Sequence, residues 1–122
     1  MKARPVQLIP GKGYEQCAIE DATHVSLRIP GPTGLLTLPV IRSGTREGTG
    51  CWTWNGSTDA PTLRPSVLTS FESAVAAKSW RCHSWINDGA AQFLADCSHD
   101  MAGMTVPLLD VDELPNAEIT GG

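Results

Sequence analysis

Residues 80–99 read "WRCHSWINDGAAQFLADCSH", two apolar runs on either side of Asn87-Asp88-Gly89. Asp-Gly between alternating apolar residues is a strong short-range hairpin signal, because both positions of the tight turn need positive φ. With Asp88 and Gly89 alone in the turn, Asn87 faces Ala90, Cys82 faces Ala95 and Cys97 faces Trp80. Side chains alternate along a strand, so Cys82 and His83 point to opposite sides of the sheet. His83 then shares its side with Gln92, Leu94 and Asp96, and Asp96 is its diagonal neighbour. A fold built from such hairpins is a β-fold.

The rest of the chain agrees with that start. Its 122 residues suit one domain with one modest core. Twelve glycines and nine prolines keep the apolar stretches short, which disfavours a helical domain. "HVSLRI" sets Val25, Leu27 and Ile29 on one face of a strand and His24, Ser26 and Arg28 on the other. "PGPTG" at 30–34 turns the chain into a second apolar run, Leu35 to Ile41, and residues 42–50, "RSGTREGTG", read as a mobile loop. In the strand "CWTWNG" that follows, Trp52 and Trp54 share a face and are expected in the core. One short helix is expected at "FESAVAAKS", where Thr69 and Glu72 have capping-box spacing and three alanines favour about two turns. The expected architecture is thus a small α+β, β-rich domain of short antiparallel strands with one short helix, spanning residues 1–109. Residues 110–122, "DVDELPNAEITGG", read as an acidic, flexible C-terminal tail.

Composition narrows the function classes. A net charge of −4 and a pI near 5.2 provide no basic footprint for nucleic acid. There is no run of about 18 apolar residues for a membrane span, and Pro5 and Pro10 interrupt the start where a signal peptide needs an apolar stretch. A cytoplasmic location is expected. In that compartment Cys17, Cys51, Cys82 and Cys97 are expected as free thiols or metal ligands rather than disulfide partners. The hairpin register also opposes a Cys82–Cys97 disulfide, since diagonal neighbours lie roughly 7–8 Å apart at Cα, beyond disulfide reach.

Three chemistries compete for the two Cys-His elements. Cys82, His83, Cys97 and His99 are a formal zinc set, but adjacent strand residues do not converge on one ion and no C-x-x-C knuckle is present. No metal and no cofactor is expected. Acid-base work suits His83 better, with Asp96, or His99 just past the strand end, fixing its tautomer. The nucleophile would be Ser66 in "PTLRPSVL", stiffened by Pro61 and Pro65 and set just before Val67-Leu68 of a short strand. A serine hydroxyl needs a base within hydrogen-bond reach, and His83 is the best placed. Cys82, beside that base but turned away from it, ranks second as nucleophile. The alternatives to a serine hydrolase are a zinc-binding module on the four Cys and His residues and a non-enzymatic phage protein that grips a host factor.

Five stretches, "WTWNG", "PTLRPS", "CHSWINDG", "QFLADCSH" and "AGMTV", together resemble the BubE family of small phage and bacterial proteins. Its bacterial members accompany ubiquitin-like proteins and their activating and conjugating enzymes, and are regarded as the peptidase component of those operons. The resemblance spans about residues 52–107. It implies a serine peptidase or deconjugase acting at the C-terminus of a ubiquitin-like protein or its conjugate, with Ser66, His83, Asp96 and His99 as the polar set. The chain departs from relatives that carry a C-P-x-C-like cluster ahead of a histidine, having only Cys17 before His24.

Overall fold

The computed structural model describes residues 1–40, 51–74 and 79–112. Ten strands account for nearly all its regular structure: β1 (Ala3–Ile9), β2 (Gly13–Gln16), β3 (His24–Ile29), β4 (Gly34–Pro39), β5 (Thr53–Trp54), β6 (Leu63–Arg64), β7 (Val67–Phe71), β8 (Trp80–Asn87), β9 (Ala90–Phe93) and β10 (Thr105–Pro107). One antiparallel sheet has the order β2-β1-β3-β4 and a second the order β10-β9-β8-β7, while β5 and β6 form a two-stranded ribbon. The helical content among the described residues is a single 3₁₀ turn at Ile19–Asp21.

Period-two patterning explains which faces meet. Val25, Leu27 and Ile29 of β3 are buried, as their alternation requires, and Leu38 joins them from β4. Cys82 and Ile86 of β8, Ala91 and Phe93 of β9 and Val67 of β7 belong to the same core cluster, so the two sheets share one interior. Ser26 is the polar exception on β3; it is buried against β4, where its hydroxyl and that of Thr37 lie 2.7 Å apart. A buried hydroxyl is tolerated when it is paired in this way. Trp52 and Trp54 pack against the core while remaining partly exposed.

The hairpin of β8 and β9 has the expected register, with Asn87 opposite Ala90 and Ser84 opposite Phe93. Asp88 and Gly89 both have positive φ, at 48° and 83°. The turn is docked rather than free: Gly89 donates its N–H to Pro61 O and its carbonyl accepts from Leu108 N–H. Beyond Leu94 the register departs from expectation. Ser98, not Asp96, donates to Arg81 O, so Cys97 no longer faces Trp80.

The expected helix start is also corrected. Thr69 lies within β7 opposite Cys82, its hydroxyl 2.6 Å from that of Thr33, and Glu72 follows the strand without entering a helix. Long-range pairing with β8 outweighs a local signal worth at most about two helical turns. Residues 75–78, in the remainder of that stretch, and the loop at 42–50 lie outside the described residues. So does the tail from residue 113, whereas Val111 is buried and Asp112 pairs with Arg4 beside the N-terminus.

A side chain at Gly89 would meet Asp59 O at 3.1 Å and Ala60 Cα at 3.2 Å, on a backbone with φ of +83°. Gly89→Ala is therefore expected to destabilise the protein by about 1–3 kcal/mol, read as a lower midpoint in denaturant unfolding.

Candidate active site

The candidate site lies on the outer face of the second sheet. Ser66 stands just before β7, between two deep anchors, Leu63 and Val67, each of which contributes about 1.5–3 kcal/mol by leaving water. Between those anchors Ser66 is half-buried, and its carbonyl accepts a hydrogen bond from Trp52 Nε1–H at 3.3 Å. This contact fixes the residue from the side of β5. Trp52 was legible in the sequence only as a core aromatic, because nothing local announces a tie to a residue fourteen positions away.

His83 sits on β8 opposite Leu68 of β7. Alternation turns it outward, with Arg81 and Trp85, while Cys82, Ser84 and Ile86 turn inward. The Ser66 hydroxyl thereby comes within 2.9 Å of His83 Nε2. On the other side of the ring, His83 Nδ1 is 3.1 Å from Asp96 Oδ2 and 3.3 Å from Oδ1. One tautomer serves both contacts: Nδ1–H donates to the carboxylate, and the lone pair of Nε2 accepts the serine proton. Arg81 Nη1 is 3.9 Å from Asp96 Oδ2, an exposed pair worth little in water.

Asp96 reaches the ring from a turn rather than from the strand. Cys97 donates its N–H to Leu94 O, closing a turn over residues 94–97 just after β9 ends. The structure thus brings Ser66, His83 and Asp96 together, and it places His99 elsewhere. His99 Nε2 lies 3.2 Å from Cys82 Sγ on the inner side of the hairpin, with its ring edge-on to Phe93 at 4.8 Å.

Cys82, Cys97 and His99 offer ligand atoms within 4.8 Å of one another, and His83 is not part of the group. Their hydrogen bonds oppose a metal in that arrangement. Met101 donates its N–H to His99 Nδ1 at 3.2 Å, so Nε2 carries the proton and points it at Cys82 Sγ. A zinc-ligating imidazole needs the reverse, a bare ligating nitrogen and a donating partner nitrogen. Burial pushes the Cys82 thiol up, with smaller contributions from its neighbours.

A family model recognises the chain from the end of β1 to just past β9. The model is described as "Bacterial ubiquitination-like system serine protease (BubE)" and matches residues 9–94. The chain belongs to the BubE family. Neither the curated proteins nor the solved structures yielded a match. The BubE match takes in Ser66 and His83 and ends before Asp96, whose placement is known from geometry alone. No helix among the described residues of this BubE protein is long and apolar enough to cross a membrane.

None of the four cysteines is in a disulfide. Cys82 is 1% exposed, whereas Cys97 is half-buried, so a maleimide is expected to label Cys97 well before Cys82 at neutral pH, read by peptide mass analysis. Protein purified without added metal is expected to hold no stoichiometric zinc by elemental analysis, and chelator to leave its unfolding midpoint unchanged.

Proposed function

We propose that this BubE protein is a serine peptidase that releases the C-terminus of a ubiquitin-like protein, with Ser66 as nucleophile, His83 as general base and Asp96 as its orienting partner. The observation that carries the reading is the continuous chain from the Ser66 hydroxyl to His83 Nε2 at 2.9 Å and from Nδ1 to Asp96 at 3.1 Å. Such a chain has the order of groups that acyl transfer at a serine requires. His83 takes the hydroxyl proton as Ser66 Oγ attacks the scissile carbonyl, and the imidazolium is stabilised by Asp96. The same imidazolium then protonates the departing amine. Water, activated in turn by His83, cleaves the acyl-enzyme and frees the carboxylate. Backbone N–H groups supply the hydrogen bonds to the oxyanion.

The surroundings suit a protein substrate. Ser66, Leu68 and His83 lie on an outward sheet face, with the Leu68 side chain 55% exposed beside the histidine. An extended C-terminal tail can lie across such a surface without entering a deep cavity. Arg64 covers the Trp85 ring, 5.1 Å from its centre, and so bounds the face on the β6 side.

Cys82 with His99 is the competing nucleophile-base pair, at 3.2 Å. It is disfavoured because Cys82 is buried in the core, where no carbonyl reaches it, and because its thiol is held protonated by burial.

Ser66→Ala and His83→Ala are each expected to remove hydrolysis of a ubiquitin-like protein extended beyond its C-terminal glycine, with the fold intact by circular dichroism. The double variant should be little worse than either single one, since the two groups act as a unit. Asp96→Asn is expected to cost on the order of 10³–10⁴ in kcat, and His99→Ala far less. Full cleavage by Ser66→Ala with loss in Cys82→Ala would make the protein a cysteine peptidase.

A further inference from the structure

From the ladder around His83 we infer that Cys97 is a positioning residue for the proposed base, acting through the backbone of His83; the inference rests on the serine peptidase reading. In an unbroken antiparallel ladder, His83 and Leu94 would exchange both of their backbone hydrogen bonds. Half of that exchange is present, because Leu94 donates its N–H to His83 O at 2.9 Å. The other half is gone: Leu94 O accepts from Cys97 N–H in the 94–97 turn, which leaves the His83 N–H without its strand partner.

The Cys97 side chain fills that place. His83 N–H donates to Cys97 Sγ at 3.2 Å, and the Cys97 thiol donates back to His83 O at 3.1 Å. One side chain therefore clamps both backbone groups of the base, on the residue next to the carboxylate that orients it. The chain rejoins the ladder immediately afterwards, where Ser98 N–H donates to Arg81 O at 2.9 Å and Ser98 Oγ accepts from Arg81 N–H at 2.8 Å. The turn needs to leave the ladder to aim Asp96 at the ring, and Cys97 repairs the gap that this creates. A hydroxyl has the same donor and acceptor capacity as the thiol, whereas a methyl group has neither.

The experiment compares Cys97→Ala and Cys97→Ser with wild type in the full chain, with two readouts. The first is kcat and KM for an extended ubiquitin-like protein; the second is the low-field NMR resonance of the His83 Nδ1 proton, assigned by its loss in His83→Ala and recorded without substrate. Cys97→Ala is expected to lower kcat by about a hundredfold with KM nearly unchanged, as a displaced catalytic group does, and to lose or broaden the resonance. Cys97→Ser is expected to recover most of both. A Cys97→Ala variant with wild-type kcat and an intact resonance overturns the inference, and so does a folded Cys97→Ser variant as impaired as Cys97→Ala. If wild type is inert but the resonance follows the expected pattern, the positioning role stands and the peptidase reading fails.

Discussion

Strict alternation along β8 is the constraint on which the rest of this structure depends. Cys82, Ser84 and Ile86 face the core at 1% exposure or less, and this fixes Arg81, His83 and Trp85 on the outside. A slip of one residue would bury the imidazole and expose Ile86, so the hydrophobic pattern that folds the sheet also sets the position of the His83 ring. Pairing with β7 then brings Ser66 to the same face, and pairing with β9 leads the chain to the turn that carries Asp96. Fold and candidate site thus follow from one register.

The same alternation separates two histidine environments within one hairpin. His83 has a serine and a carboxylate, both in contact with solvent, while His99 has a thiol, an aromatic edge and a backbone N–H. The first environment pairs one ring nitrogen with a hydroxyl and the other with a carboxylate. The second sets Nδ1 against a backbone N–H and Nε2 against a buried thiol. That contrast gives the two histidines different partners, and His83 stands outside the cluster of Cys82, Cys97 and His99.

Much of this was legible because period-two patterns and Asp-Gly turns are local. Val25, Leu27 and Ile29, the Asp88-Gly89 turn and the opposition of Ser84 to Phe93 all follow from neighbours in the chain. The misread helix start shows the limit: Thr69 and Glu72 have helix-capping spacing, but Thr69 is held by Cys82 and Thr33, which no local window contains. The strands β1 and β2 gave little warning, since Pro5 and the glycines near residue 12 obscure alternation in a segment that long-range pairing with β3 makes a central strand. Trp52 reaching Ser66 and Cys97 clasping His83 were hidden for a related reason. Each is a through-space repair of a backbone group, and its signal exists only once the chain has folded.

The exposure of Asp96 explains why such repairs carry weight. Its side chain is 44% exposed, and an ion pair or hydrogen bond in that setting contributes only about 0–1 kcal/mol of its own. The contact with His83 is therefore too weak to hold the carboxylate in place by itself. Precision has to come from the backbone: from the Leu94–Cys97 turn, from the bond of Leu94 to His83 and from the return to the ladder at Ser98. In a buried triad the low dielectric strengthens the carboxylate's hold on the ring. On this open sheet the backbone performs that task, and the carboxylate sits where the chain puts it.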